Sequence, residues 1–243
     1  MEKQEELHTQ AVVGAERNLR MMNLIHTVFE PEGAGPHPTI LALHGWGANA
    51  LDLLGLAPHL CRGQFLVLCP QGPLQVPIGP NMVGHGWFPL TSGGPVDVQA
   101  ILSAREAVRA FLDEALQRYP VDAKKLCVLG FSQGGVMGYS LALGEPERFA
   151  GLAALSSWLP KDMLTALPDV PATEQLPVLV QHGSKDELVD VGRARQSVEI
   201  LRDVKAPVTY REYDMGHEIN ARSLTDLSNW LQEKVVSPIT LAS

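Results

Sequence analysis

Four short runs are apolar at almost every position: TILALH from Thr39, FLVLC from Phe65, LCVLGF from Leu126 and PVLVQ from Pro177. A strand with one wet face alternates apolar and polar residues. A run that does not alternate reads as a strand buried on both faces, the pattern of parallel sheets. The strands expected from these runs are Thr39–His44, Phe65–Cys69, Leu126–Gly130 and Val178–Gln181. Three more are expected at Asn23–Phe29, Gly151–Leu155 and Val208–Tyr213. Helical patterns lie between them. The clearest is Val96–Arg118, where Ile101, Ala104, Val108, Phe111, Leu112 and Ala115 recur at helical spacing. Others are expected at Asp52–Leu60, Gln133–Leu143, Gly192–Arg202 and Ser223–Glu233. Strands alternating with helices mean an α/β chain with a mostly parallel sheet of about seven strands, covered by helices on both faces.

A length of 243 residues suits one such domain, 1–243, with residues 1–20 read as a loosely ordered N-terminal extension. The net charge is −8 and the 19 Lys and Arg are scattered, which argues against a nucleic-acid partner and against strong binding to anionic membranes. Cys61, Cys69 and Cys127 are an odd number, so they cannot form a full disulfide framework. Cys69 and Cys127 sit in apolar runs and read as buried, reduced thiols. No CxxC occurs and no Cys/His cluster has zinc-ligand spacing, so neither a metal nor another cofactor is expected. The first residues, MEKQEELHTQ, hold no apolar core of a signal peptide, and no apolar run approaches a membrane span. A cytoplasmic protein is expected, with no stable membrane insertion. Two segments, Gln71–Pro95 and Leu159–Leu176, lack regular pattern and read as binding loops or surface insertions.

Gly130-Phe131-Ser132-Gln133-Gly134 is a G-x-S-x-G pattern. Alone it is a weak signal. Its context is stronger, because it follows an apolar strand and opens a helical run, the setting of a strained strand–turn–helix elbow. Side chains two residues either side of Ser132 would collide in so tight a turn, hence the glycines. A serine hydroxyl is a poor nucleophile until a base takes its proton and an acid orients the base. Around such an elbow the chain order is serine, acid, histidine. His217, in the loop DMGHEIN after the last expected strand, is the expected base. His182 ends an apolar strand and is expected to pack beneath the site. Asp186 in HGSKDELVD is the favoured acid, with Glu187 and Asp190 as competitors. Asp214 is too close to His217 in sequence to come from a separate strand loop.

Acyl transfer also needs donors for a developing oxyanion. One is the backbone N–H of Gln133. The other is expected from the loop after TILALH, where Gly45 and Gly47 let backbone approach substrate and offer the Trp46 N–H. The Trp46 side chain is a candidate pocket wall, and His44 is expected to brace the loop by hydrogen bonds.

LHGWGAN, GFSQGG, HGSKDELV and GHEI together resemble the phospholipase/carboxylesterase family of α/β-hydrolases, which includes bacterial carboxylesterases and acyl-protein thioesterases. The resemblance runs from about Pro38 to Leu231. It implies an α/β-hydrolase fold without a large cap domain, with Ser132, Asp186 and His217 as triad and Trp46 and Gln133 as oxyanion donors. Trp87 and Phe88 in GWFPL resemble a pair that the family places beside the acyl site. Thioesterase members tend to carry Asp after that pair, where this chain has Pro89, and many members have Val-Pro where it has Val189-Asp190. The expectation is a serine carboxylesterase acting on a small-molecule ester of small to medium acyl chain, with a homodimer left open. A thioesterase or lysophospholipase is the alternative, and a non-catalytic binding protein the least favoured.

Overall fold

The four apolar runs form the middle of a seven-stranded sheet. The computed structural model describes residues 22–90, 96–167 and 173–238. The expected N-terminal extension, residues 1–20, lies outside them. The strands are β1 His26–Phe29, β2 His37–Leu43, β3 Leu66–Pro70, β4 Leu74–Gly79, β5 Met82–Gly86, β6 Val121–Phe131, β7 Gly151–Leu155, β8 Val178–Gly183 and β9 Val208–Tyr213. The main sheet has the order β1-β3-β2-β6-β7-β8-β9. Only β1 pairs antiparallel, with β3. The other neighbours are parallel.

The helices are α1 Val98–Arg118, α2 Gln133–Gly144, α3 Met163–Ala166, α4 Val191–Asp203 and α5 Ala221–Leu231. Successive strand residues face opposite sides of a sheet, so each apolar run feeds two cores. Leu41, Leu43, Val128 and Val180 pack with α1, α2 and α4 on one side. Ile40, Ala42, Cys127, Leu129 and Leu179 pack with Leu227, Trp230 and Leu231 of α5 on the other. This double burial explains why the runs do not alternate. Side chains start three helices by accepting backbone N–H groups: Asp97 for α1, Asp190 for α4, and Asn220 for α5 in a reciprocal box with Ser223.

Three sequence expectations change. Asp52–Leu60 is not an α-helix but a 3₁₀ segment, Leu54–His59, followed by a 3₁₀ turn at Cys61–Gly63. Pro58 inside it has no N–H to continue an α-helical ladder. Gln71–Pro95 is not wholly irregular, because β4 and β5 form a separate antiparallel hairpin. Asn81, at φ 60°, takes the left-handed conformation that its tight turn needs. Residues 91–95 of that segment lie outside the described ones. Leu159–Leu176 contains the short helix α3, and its residues 168–172 also lie outside. Among the described residues no large cap covers the carboxyl ends of the strands, and no helix is long and apolar enough to cross a membrane. Cys61, Cys69 and Cys127 are buried and free, and burial pushes the Cys69 thiol up to about 12.

Candidate active site

The turn between β6 and α2 is closed by contacts that only glycine allows. Ser132 sits at φ 53°, ψ −118°. A Cβ on Gly130 would lie 2.2 Å from the Gly134 carbonyl oxygen, and one on Gly134 would lie 1.9 Å from the Leu43 carbonyl oxygen. A Cβ on Gly135 would lie 2.4 Å from Ser157 Cβ. The space it leaves is used: Ser157 Oγ donates to the Ser132 carbonyl at 2.7 Å. The Ser132 N–H donates to the Leu155 carbonyl at 2.9 Å, which ties the strained residue to β7. α2 then runs inward with Gln133 to Leu143 all buried.

The expected acid and base come from neighbouring strand ends. Asp186 follows β8 and His217 follows β9. His217 Nδ1 lies 2.7 Å from Asp186 Oδ2, and the carboxylate is wholly buried. A carboxylate only accepts, so Nδ1 carries the proton and Nε2 is left as the basic nitrogen. The Leu188 and Val189 N–H groups donate to Asp186 Oδ1 at 2.9 and 2.8 Å. The Phe131 ring lies 4.9 Å from the His217 ring, centre to centre. Of the competing acids, Asp190 caps α4 and Glu187 is exposed; Asp214, set aside by its sequence position, pairs with Lys185 at 2.6 Å.

His182 is fully buried as expected, but it also touches the acid. Its Nε2 lies 2.8 Å from the Val189 carbonyl and 3.2 Å from Asp186 Oδ2. Both partners accept, so Nε2 carries the proton. One carboxylate oxygen thus faces two imidazole N–H groups. The sequence signal available for this was His182 lying four residues before Asp186.

Gly45 follows β2 and lies against the elbow, where a Cβ would come 3.3 Å from Ser132 Cβ. Next to it are the N–H groups of Trp46 and, across the turn, Gln133. Among the described residues neither N–H donates to a backbone acceptor. His44 braces this loop. It is buried, its Nδ1 donates to the Gly45 carbonyl at 2.7 Å, and its Nε2 accepts the Gly72 N–H at 2.9 Å. Burial holds its pKa below the usual histidine value, which suits a neutral ring that donates on one side and accepts on the other. The hairpin supports the same loop: the Gly47 N–H donates to the His85 carbonyl and the His85 N–H to the Ala48 carbonyl, both at 2.8 Å.

Ser132 and His217 share a cavity of about 710 Å³ with Trp46, Leu90, Trp158, Leu188 and Arg193 on its walls. Trp87 and Phe88, expected there, are instead buried in the core and are not among its lining residues. They are pegs. The Gln133 side chain accepts the Trp87 N–H at 2.8 Å and donates to the Phe88 carbonyl at 2.7 Å. The Trp87 indole N–H donates to the His44 carbonyl at 2.9 Å. An apolar side chain with one polar handle serves here to lock a loop. Leu90, Trp158, Leu188 and Arg193 were not anticipated: Leu90 and Leu188 lie inside GWFPL and HGSKDELV, but nothing in either motif assigns them to a pocket.

The profile of the phospholipase/carboxylesterase family matches residues 25–235. The chain belongs to the phospholipase/carboxylesterase family. This is a family of hydrolases built on the α/β-hydrolase fold. Acyl-protein thioesterase 1 of Mycosarcoma maydis is 27% identical over 227 residues, covering 84% of this chain and 93% of that protein. A probable carboxylesterase of Oryza sativa is 28% identical over 204 residues, covering 79% of this chain and 76% of that protein. Among solved structures, a carboxylesterase from Mesorhizobium loti aligns with a TM-score of 0.75 at 22% identity, covering 90% of this chain and 98% of that one. At that identity the likeness concerns the fold, and it agrees with the seven-stranded sheet of this phospholipase/carboxylesterase member.

Proposed function

We propose that this chain is a metal-independent serine carboxylesterase. The observation that carries the reading is the 2.7 Å contact between His217 and the buried Asp186 carboxylate, with His217 and Ser132 of the glycine-packed elbow lining one cavity. Ser132 Oγ attacks the ester carbonyl while His217 Nε2 takes its proton. Asp186 keeps Nδ1 protonated and stabilises the imidazolium. The oxyanion accepts from the Trp46 and Gln133 N–H groups, with the positive end of α2 behind it. Collapse expels the alcohol, protonated by His217. Water, deprotonated by the same nitrogen, then releases the acid and restores Ser132. Among the described residues no large cap stands over the site to bury a long chain, which supports small to medium acyl groups.

Ser132→Ala is expected to keep the fold and lower kcat on p-nitrophenyl esters by about 10⁴-fold or more. Substantial remaining activity would overturn the assignment. Thioester hydrolysis is the second reading, favoured by the Mycosarcoma maydis relative's name. Matched oxygen esters and thioesters, assayed side by side, separate the two.

A further inference from the structure

Arg193 is the third residue of α4, in the helix's first turn. A cation there faces the positive end of the helix dipole, which disfavours it. Its guanidinium carbon lies 4.1 Å from the centre of the Trp158 ring. Partial burial lowers its pKa from the usual arginine value, against the opposing attraction of Asp190. Asp190 is engaged, its side chain accepting the Gly192 N–H at 2.8 Å. Among the described residues no carboxylate pairs with Arg193. Arg195, two positions on, is different: it grips Glu212 through two contacts of 2.7 and 2.9 Å.

A stack on indole uses the face of the guanidinium and leaves its N–H edges unspent. The stack is also fixed in place. Ser197 of α4 accepts the N–H of Leu159, the residue after Trp158, at 2.8 Å. Arg193 and Trp158 line the cavity that holds Ser132, and both continue into a neighbouring groove with Lys161. Asp52, the cavity's acidic residue, enters from the segment after β2, whereas Arg193 enters from the segment after β8. Glu199 and Asp203 lie only in the outer groove.

We propose that Arg193 is a specificity-determining residue, and that the preferred substrates are esters carrying a carboxylate several bonds from the reacting carbonyl. This rests on the serine esterase reading above. A carboxylate matches the guanidinium fork with two parallel hydrogen bonds and neutralises a cation that the helix end and partial burial disfavour.

The test compares mono-p-nitrophenyl adipate with p-nitrophenyl hexanoate, so that chain length is matched. A second pair, the hexanoyl ester of 4-hydroxybutanoate and its methyl ester, moves the carboxylate to the alcohol side. The quantity read is the ratio of kcat/KM, anionic over neutral, so a general change in the cavity cancels. In Arg193→Met this ratio is expected to fall about 10- to 100-fold for at least one pair, with partial recovery in Arg193→Lys. Added salt is expected to erode the ratio in the parent enzyme and not in Arg193→Met. An unchanged ratio in both pairs overturns the role of Arg193. If neither neutral ester is cleaved, or cleavage survives Ser132→Ala, the esterase reading itself has failed.

Discussion

At the floor of the cavity, backbone meets backbone. Gly134 lies where any side chain would strike the Leu43 carbonyl, and Gln133, His44 and Ser157 each hold a loop through hydrogen bonds. At the rim, Trp46, Leu90 and Leu188 are large, apolar and 37%, 42% and 76% exposed. They come from three separate segments. On the proposed mechanism the floor has to position Ser132, and its close backbone contacts leave little room for other residues. The rim supplies apolar area, which many residues could supply, and the guanidinium of Arg193. Changes at the floor should therefore abolish chemistry or folding, while changes at the rim should redistribute substrate preference.

The largest effect short of Ser132→Ala is expected for Asp186→Asn. The amide leaves the shape intact but offers His217 Nδ1 a group that can donate as well as accept. The tautomer is then no longer enforced, and kcat should fall by about 10⁴-fold with the melting temperature little altered. Steady-state kinetics with thermal melts check both parts. Retained kcat would mean that another acid orients His217.

Gly134→Ala tests the floor as a folding element. A Cβ 1.9 Å from the Leu43 carbonyl oxygen forces β2 and α2 apart, and a loss of about 3 kcal/mol or more is expected. For a chain of this size that lowers the melting temperature by roughly 10 °C. Leu188→Ala at the rim is the control. A leucine so exposed contributes little to the core, and its melting temperature should stay close to the parent's. Equal shifts in the two variants would break the contrast between floor and rim.

His182 lies between these extremes. It faces the same Asp186 oxygen as His217, at 3.2 Å against 2.7 Å. His182→Leu removes one of the two imidazole N–H groups that face Oδ2, so the carboxylate charge is less shared and holds the imidazolium of His217 more strongly. The acid limb of the kcat/KM profile should move to higher pH, with kcat lower by about tenfold. His182→Gln, which keeps an amide donor near the Nε2 position, should restore both. A purely structural role would lower activity without moving the profile.

The same division decides what the sequence reveals. The double-faced strands were legible because burial on both sides leaves no polar residue in the run. The elbow was legible because sterics demand glycine at fixed offsets from Ser132, and Asp186 and His217 because they follow strand ends in a fixed chain order. Trp87 and Phe88 misled because an aromatic pair in a Gly- and Pro-rich loop looks the same whether it lines a pocket or locks a loop. Only the contacts of Gln133 and His44 separate the cases. The 3₁₀ path through Leu54–His59 hid behind an apolar spacing that an α-helix would share, although Pro58 was its visible breaker. Trp158, Leu188 and Arg193 were not legible, since no spacing links residues that meet only through the fold.

The smallest effect should come from shortening the rim. Leu90 and Leu188 offer their exposed faces to the cavity that Ser132 shares, so substrate covers area there that is otherwise in water. Each buried methylene contributes about 0.8 kcal/mol, and a rim leucine covers only part of a chain. Leu188→Ala should therefore lower kcat/KM for p-nitrophenyl octanoate relative to butyrate by about two- to fivefold, chiefly through KM. Leu90→Ala should act in the same direction. A fall in kcat that is equal for both esters would place Leu188 with the floor, through its N–H bond to Asp186, and would move the boundary between the two regions by one residue.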